Sequence, residues 1–120
     1  MDISYHERPD YLLVEMSGTW EIDEAKHQIE AVRDRASTLG AKRVLIDCRE
    51  LATPKDTLTR FLTGEYIAKF WRPPVKVAAL AGHEMVTNKF AETVAVNRGA
   101  WFAVFLDQTL AVQWLMEGSE

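Results

Sequence analysis

An α/β fold built on a mainly parallel sheet is what this 120-residue sequence predicts. Three observations predict it. Short apolar, β-branched runs alternate with longer segments whose apolar residues recur at spacings of three and four. The amphipathic segments close on glycine or proline stops, at Gly40, Pro73-Pro74 and Gly99. The composition, 48% apolar and 27% charged, is that of an ordinary globular chain and too hydrophobic for disorder. Alternating strands and helices imply helices on the faces of a parallel sheet, joined by right-handed crossovers. A chain of this size buries roughly two thirds of its unfolded surface, so one core suffices, and a single domain over residues 1–120, with its core at 10–116, is expected.

The elements follow in order. Residues 2–7 read as a first strand, Arg8-Pro9-Asp10 as a turn, and Tyr11 to Met16 as a second strand ending at Gly18, which makes an antiparallel hairpin near one sheet edge. Ile22, Ala25, Ile29, Val32, Ala36 and Leu39 mark an amphipathic helix stopped by Gly40. Arg43 to Asp47 is short and apolar, as a strand covered on both faces should be. Thr53 before Pro54 has the extended geometry of an N-cap, with Pro54 at the first helical position and Asp56 in the first turn. The helix that follows is expected to bury Leu58, Phe61, Leu62, Ile67 and Phe70 and to end at Trp71-Arg72-Pro73-Pro74. Val75 to Ala81 reads as an interior strand and residues 84–98 as a helix with Val86, Phe90 and Val94 on one side. Trp101 to Leu106 is the last strand, and Asp107 caps a terminal helix that turns Leu110, Ala111, Trp114 and Leu115 inward. The resulting order is β-β-α-β-α-β-α-β-α.

Several function classes are excluded at this level. The net charge is −4, and the 14 basic residues form no stripe, so nucleic acid and anionic lipid lack an electrostatic footprint, leaving at most peripheral membrane contact. One cysteine, Cys48, rules out an intramolecular disulfide and a Cys-rich metal site and fits a reducing compartment. The longest apolar run, Ala100 to Leu106, is too short to span a bilayer, and the polar start MDISYHERPD has no hydrophobic signal segment, so a cytoplasmic protein is expected.

The element order, with the segments LIDCRELAT, KVAALAG and KFAETVAVNRGAWFAVFLDQTLAVQWL, resembles the STAS superfamily, and within it the small stand-alone bacterial proteins that are anti-sigma-antagonist-like or STAS/SEC14-like. The resemblance spans residues from about 10 to 116 and is best from Lys89 to Leu115. It implies a STAS-like fold and a binding mode: phosphorylation-controlled partners in anti-sigma switches, or carriers of lipids and other apolar ligands. Anti-sigma-factor antagonists resemble one another in an Asp-Ser-Ser-Gly-like stretch at the start of the helix after the third strand. Here that stretch is Thr53-Pro54-Lys55-Asp56-Thr57-Leu58, without serine or glycine, and Thr57 is the phosphoacceptor candidate.

Ligands of open α/β sheets gather beyond the carboxyl ends of the parallel strands, which selects Asp47 to Thr57, Gly82 to Glu84 and Asp107 as one rim. Cys48 behind a buried strand reads as a small packed hydrophobe, with a thiol enzyme as the alternative. His83-Glu84 lacks the second histidine of a zinc-protease motif, since Thr87 holds that place, and His6, His27 and His83 lie in separate elements, so no metal and no cofactor is expected. His83 is placed to hydrogen-bond a ligand head group. Asp47 is expected to pair with Arg49 or Arg98, and Asn97-Arg98-Gly99 to end a helix with a cation at its negative dipole end. Trp101 and Trp114 read as core.

The helix from Leu58 to Trp71 is apolar around more of its circumference than one sheet-facing stripe needs. An excess of that kind marks a second packed surface or a ligand groove. The expected function is therefore a non-enzymatic binding module whose candidate ligand wall is Leu58, Phe61, Leu62, Tyr66, Phe70 and Trp71, with His83, Val86 and Phe90 beside it. Its occupant is a small apolar or lipid-like ligand or a protein partner, a second copy included.

Overall fold

Pro9 and Asp10 reverse the chain between two strands that pair antiparallel, and from there the sequence alternates helix and strand to the end. The computed structural model describes residues 1–52, 56–82 and 90–117. Its elements are β1 (Asp2–Glu7), β2 (Leu12–Thr19), α1 (Ile22–Leu39), β3 (Arg43–Ala52), α2 (Thr57–Phe70), β4 (Lys76–Leu80), α3 (Phe90–Asn97), β5 (Phe102–Phe105) and α4 (Gln108–Met116). The sheet runs β1-β2-β3-β4-β5, with β1 antiparallel to β2 and the remaining neighbours parallel. The predicted α/β fold class and element order are those observed.

Sheet alternation builds two unequal cores. Leu12, Val14 and Met16 of β2, Val44 and Ile46 of β3, Val77 and Ala79 of β4, and Phe102 and Val104 of β5 face one way and meet α1, α2 and α3. Leu45, Ala78 and Leu80 face the other way and are covered by Ala111 and Leu115 of α4. Because α4 lies on β3, β4 and β5, the same face of β1 and of the C-terminal half of β2 keeps polar side chains, with His6 joined to Glu15 at 2.8 Å, while Leu13 at the start of β2 packs against the α4 core.

The caps explain the helix limits and correct two expectations. Gly40 ends α1 in the left-handed conformation that glycine adopts without a Cβ penalty (φ 68°), and the Ala41 N–H closes back on the Ala36 carbonyl at 2.8 Å. The cap of α2 is Asp56, not Thr53: its carboxylate accepts from the Thr59 N–H at 2.8 Å and the Thr59 hydroxyl at 2.6 Å. A carboxylate at this place meets both the unpaired N–H groups and the positive dipole end, which a threonine hydroxyl meets less well. Asp107 caps α4 as expected, accepting from the Leu110 N–H at 3.1 Å. Leu110 itself points outward, 55% exposed, and Trp101 is 40% exposed, so neither is core; α4 is short and buries only Ala111 and Leu115 fully.

β3 is twice the expected length. It continues through Asp47-Cys48-Arg49-Glu50-Leu51-Ala52, and its pairing with β2 jumps from Glu15↔Asp47 to Ser17↔Glu50, one extra residue on β3. At the irregularity Arg49 folds back on Asp47, donating from its backbone N–H (3.1 Å), Nε (3.0 Å) and Nη2 (2.8 Å). Residues 47–52 of the predicted rim are therefore a bulged strand.

Candidate functional site

The breadth of α2 is consumed on three sides. Ile67 and Phe70 lie in the core beneath the helix, at the i and i+3 spacing of one face. Toward α1, the Trp71 indole N–H donates to the Ile29 carbonyl at 2.9 Å and its ring leans on Phe102 at 5.5 Å, while Trp20 donates to the Thr63 hydroxyl at 3.0 Å. Toward α3, Gly64 brings the two backbones together: a Cβ on it would stand 2.7 Å from the Ala91 carbonyl oxygen and 2.8 Å from Val94 Cβ. Cations cover the outer aromatic edges, with Arg33 4.9 Å from the Phe70 ring, Lys26 5.4 Å from Tyr66 and Arg98 5.2 Å from Phe61.

The predicted wall therefore divides. Phe70 and Trp71 are core, 8% and 3% exposed, and line no surface groove. Phe61, Leu62 and Tyr66 are half-buried. Leu58, expected to be buried, is 67% exposed because it sits in the first turn of α2 on the side turned away from the sheet. Phe90 at the start of α3 is 39% exposed. His83 and Val86 lie outside the described residues, as do residues 84–89 of the predicted helix and the Thr53-Pro54-Lys55 segment.

What remains uncovered of the predicted wall is apolar surface in the first turns of α2 and α3, at Leu58 and Phe90, with Thr57 exposed beside Leu58. The Glu65 carboxylate and the Arg98 guanidinium, 3.9 Å apart, border it. Asp56 beside Thr57 is held ionised below the usual carboxylate range, first by the Thr59 hydroxyl and then by its backbone N–H.

No family model and no curated protein matches the chain. A solved structure does: an uncharacterised protein of the DUF3478 family with a SpoIIAA-like fold from Shewanella loihica PV-4, 19% identical, superposes with a TM-score of 0.56 over 95% of this chain and 92% of that one. This chain has a SpoIIAA-like fold.

Within that SpoIIAA-like fold the rim residues take unequal parts. Cys48 faces the three-helix core, and burial, aided by the neighbouring Asp47 charge, pushes its thiol up to about 12, so the nucleophilic thiolate is scarce near neutral pH. Asp47 pairs with Arg49, which holds its carboxyl below the usual range, whereas Arg98 serves α3 and Glu65. Among the described residues no three His, Cys, Asp or Glu side chains are gathered to hold a metal ion. None of the described helices is long and apolar enough to cross a membrane.

Two contributors escaped sequence reasoning. Thr63-Gly64 in mid-helix, where glycine costs helix stability, was the available signal for close helix contact. Lys76 is 5% exposed; its ammonium lies 4.4 Å from the Trp114 ring and donates to the Trp114 and Glu117 carbonyls at the end of α4. A lone lysine at the start of an apolar strand gave no sign of that role.

Proposed function

We propose that the protein is a non-catalytic STAS-type docking module whose recognition face is the strip formed by Leu58, Phe61 and Leu62 of α2 with Phe90 of α3. The observation that carries this reading is the exposure of Leu58, 67%, on a helix whose second half is locked into the core. A fixed helix that leaves a leucine uncovered presents a rigid apolar anchor, and Arg98, set over the Phe61 ring and 3.9 Å from Glu65, gives it a charged rim. The occupant is a protein surface. The carrier reading, a small lipid-like ligand between α2 and α3, has less support, because the Gly64 contact closes the helices together and Phe70 and Trp71 are engaged in the core.

A photo-crosslinking residue at Leu58, compared with one at exposed Gln113 of α4, tests this in cells of the native host. The expected result is a discrete protein adduct from position 58 alone that fades in a Phe90→Glu background. Identical adducts from both positions, or none, overturn the docking reading, and a lipid adduct at 58 moves the assignment to a carrier.

Thr57 favours one elaboration. It is exposed in the first turn of α2, beside Leu58, so a phosphate there would lie at the positive end of the helix dipole and at the border of the docking strip. Asp56 next to it adds a repelling carboxylate, so phosphorylation would reshape this border chiefly through charge. Thr57→Glu lowering the yield of the position-58 adduct supports the switch; an unchanged yield removes it.

A further inference from the structure

The two edges of the sheet are treated differently. At β5 the outward Val104 N–H is taken by the Glu92 carboxylate from α3 at 3.0 Å, which obstructs a further strand there. Among the described residues no strand lies outside β1. The hydrogen-bonding direction of β1 follows from the hairpin. Arg8 N–H donates to the Tyr11 carbonyl at 3.0 Å, so the 8:11 pair is a hydrogen-bonded one, and antiparallel pairs alternate. His6, Ser4 and Asp2 then bond inward to β2, and Ile3, Tyr5 and Glu7 turn their N–H and C=O groups outward. Consistent with this, the Glu7 carbonyl takes a long bond, 3.4 Å, from the Arg8 side chain. Among the described residues, none of the turn, loop and cap backbone bonds involves these three.

The side chains on this edge are complementary to themselves. A second β1 laid antiparallel so that Tyr5 meets Tyr5 uses all three outward residues of both copies. It sets Ile3 opposite Glu7, Ser4 opposite His6 and Asp2 opposite Arg8, each twice by symmetry. Residues of equal parity share a face, so both charged pairs, Asp2 with Arg8, fall on the polar side left uncovered by α4. Asp2 and Arg8 are exposed, and the pairing asks Arg8 to give up only its 3.4 Å bond to the Glu7 carbonyl.

We infer that β1 is a dimerisation edge, and that two copies of this chain join there into one ten-stranded sheet about a two-fold axis through Tyr5. This surface is separate from the α2–α3 strip, so it stands or falls independently of the docking proposal.

Sedimentation of the full chain, carrying any purification tag at its C-terminus, tests this over a micromolar to millimolar series. The expected species is a dimer of twice the 13.7 kDa chain mass. Asp2→Arg alone and Arg8→Asp alone each place like charges opposite one another twice, and each raises the dimer dissociation constant about tenfold, while the Asp2→Arg/Arg8→Asp exchange restores it. A monomer throughout the series overturns the inference. So does a dimer that the single reversals leave unchanged, or one that the double exchange fails to restore.

Discussion

Gly64 of α2 faces Ala91 of α3 so closely that a Cβ on the glycine would stand 2.7 Å from the Ala91 carbonyl oxygen. The contact decides how much of α2 is available for binding. With a larger residue the helices would part and open the crevice that the width of α2 suggests; with glycine they shut, and of the predicted wall Leu58 and Phe90 in the first turns stay uncovered.

Gly64→Ala should therefore destabilise the protein, although alanine is the better helix former by about 1 kcal/mol. The atoms in the way are a backbone oxygen and the Cβ and Cγ1 of Val94, none of which sits at the end of a flexible chain. Overpacking of that kind costs about 1–3 kcal/mol, which offsets the propensity gain. Urea unfolding measures the difference, and a midpoint at or above that of the unsubstituted protein would show that α2 and α3 are not in contact at this point.

The division of the α2 wall predicts a contrast between its two ends. Trp71→Phe removes the bond to the Ile29 carbonyl and leaves that buried acceptor unpaired, for a loss of about 1–3 kcal/mol. Leu58→Ser, on an exposed first turn, should change stability by no more than about 0.5 kcal/mol. Equal losses from the two substitutions would mean that Leu58 is packed like the rest of the helix.

How much of this was legible in the sequence depends on where the determining interactions lie. The order of elements and the stop at Gly40 came from local periodicity and backbone preference, which adjacent residues carry. The cap at Asp56 was misassigned to Thr53 because Pro54 gave a local signal as good as the correct one. The length of β3 was hidden because its second half is polar; Asp47 and Arg49 satisfy each other across a bulge, and periodicity breaks at a bulge. The α2 wall was read as excess because three neighbours, α1, α3 and the sheet, consume it, and sequence spacing counts the apolar residues of a helix without counting the surfaces that meet it. Fold class was accessible; occupancy of a helix face was not.

Cys48 gives the pH dependence. Its thiol is raised in the fold from 9.0 to about 12, so above pH 9 the unfolded chain has released a proton that the folded one retains. Stability contributed by the neutral buried thiol is complete below pH 9 and is lost as pH rises toward 12, by about 1.4 kcal/mol for each pH unit. Comparison with Cys48→Ala at each pH cancels the other alkaline titrations. The advantage of the unsubstituted protein over this variant should shrink steadily from pH 9 upward; a constant difference would place the thiol in contact with water.

Lys76 supplies the last prediction, because α4 cannot hold itself in place. It is a nine-residue helix without a basic residue in its last turn, shorter than an isolated helix needs to persist in water, and only Ala111 and Leu115 are fully enclosed. The cations that complement the carbonyl end of its dipole come from the sheet instead: Lys76 of β4 bonds the Trp114 and Glu117 carbonyls, and the Arg43 guanidinium of β3 donates to the Leu115 carbonyl at 3.2 Å. Burial lowers the Lys76 pKa from its ordinary value, the main opposing influence being Glu117, so the lysine is held at a desolvation cost that its bonds to α4 offset. Lys76→Ala removes these bonds and the packing against Trp114 together. Amide exchange over residues 108–116 should then accelerate by an opening free energy lower by about 1–3 kcal/mol, while α1 and α2 keep their protection. Uniform acceleration across the whole chain would mean that α4 opens only with global unfolding, and unchanged exchange in α4 would mean that Leu115 and Ala111 hold the helix without the lysine.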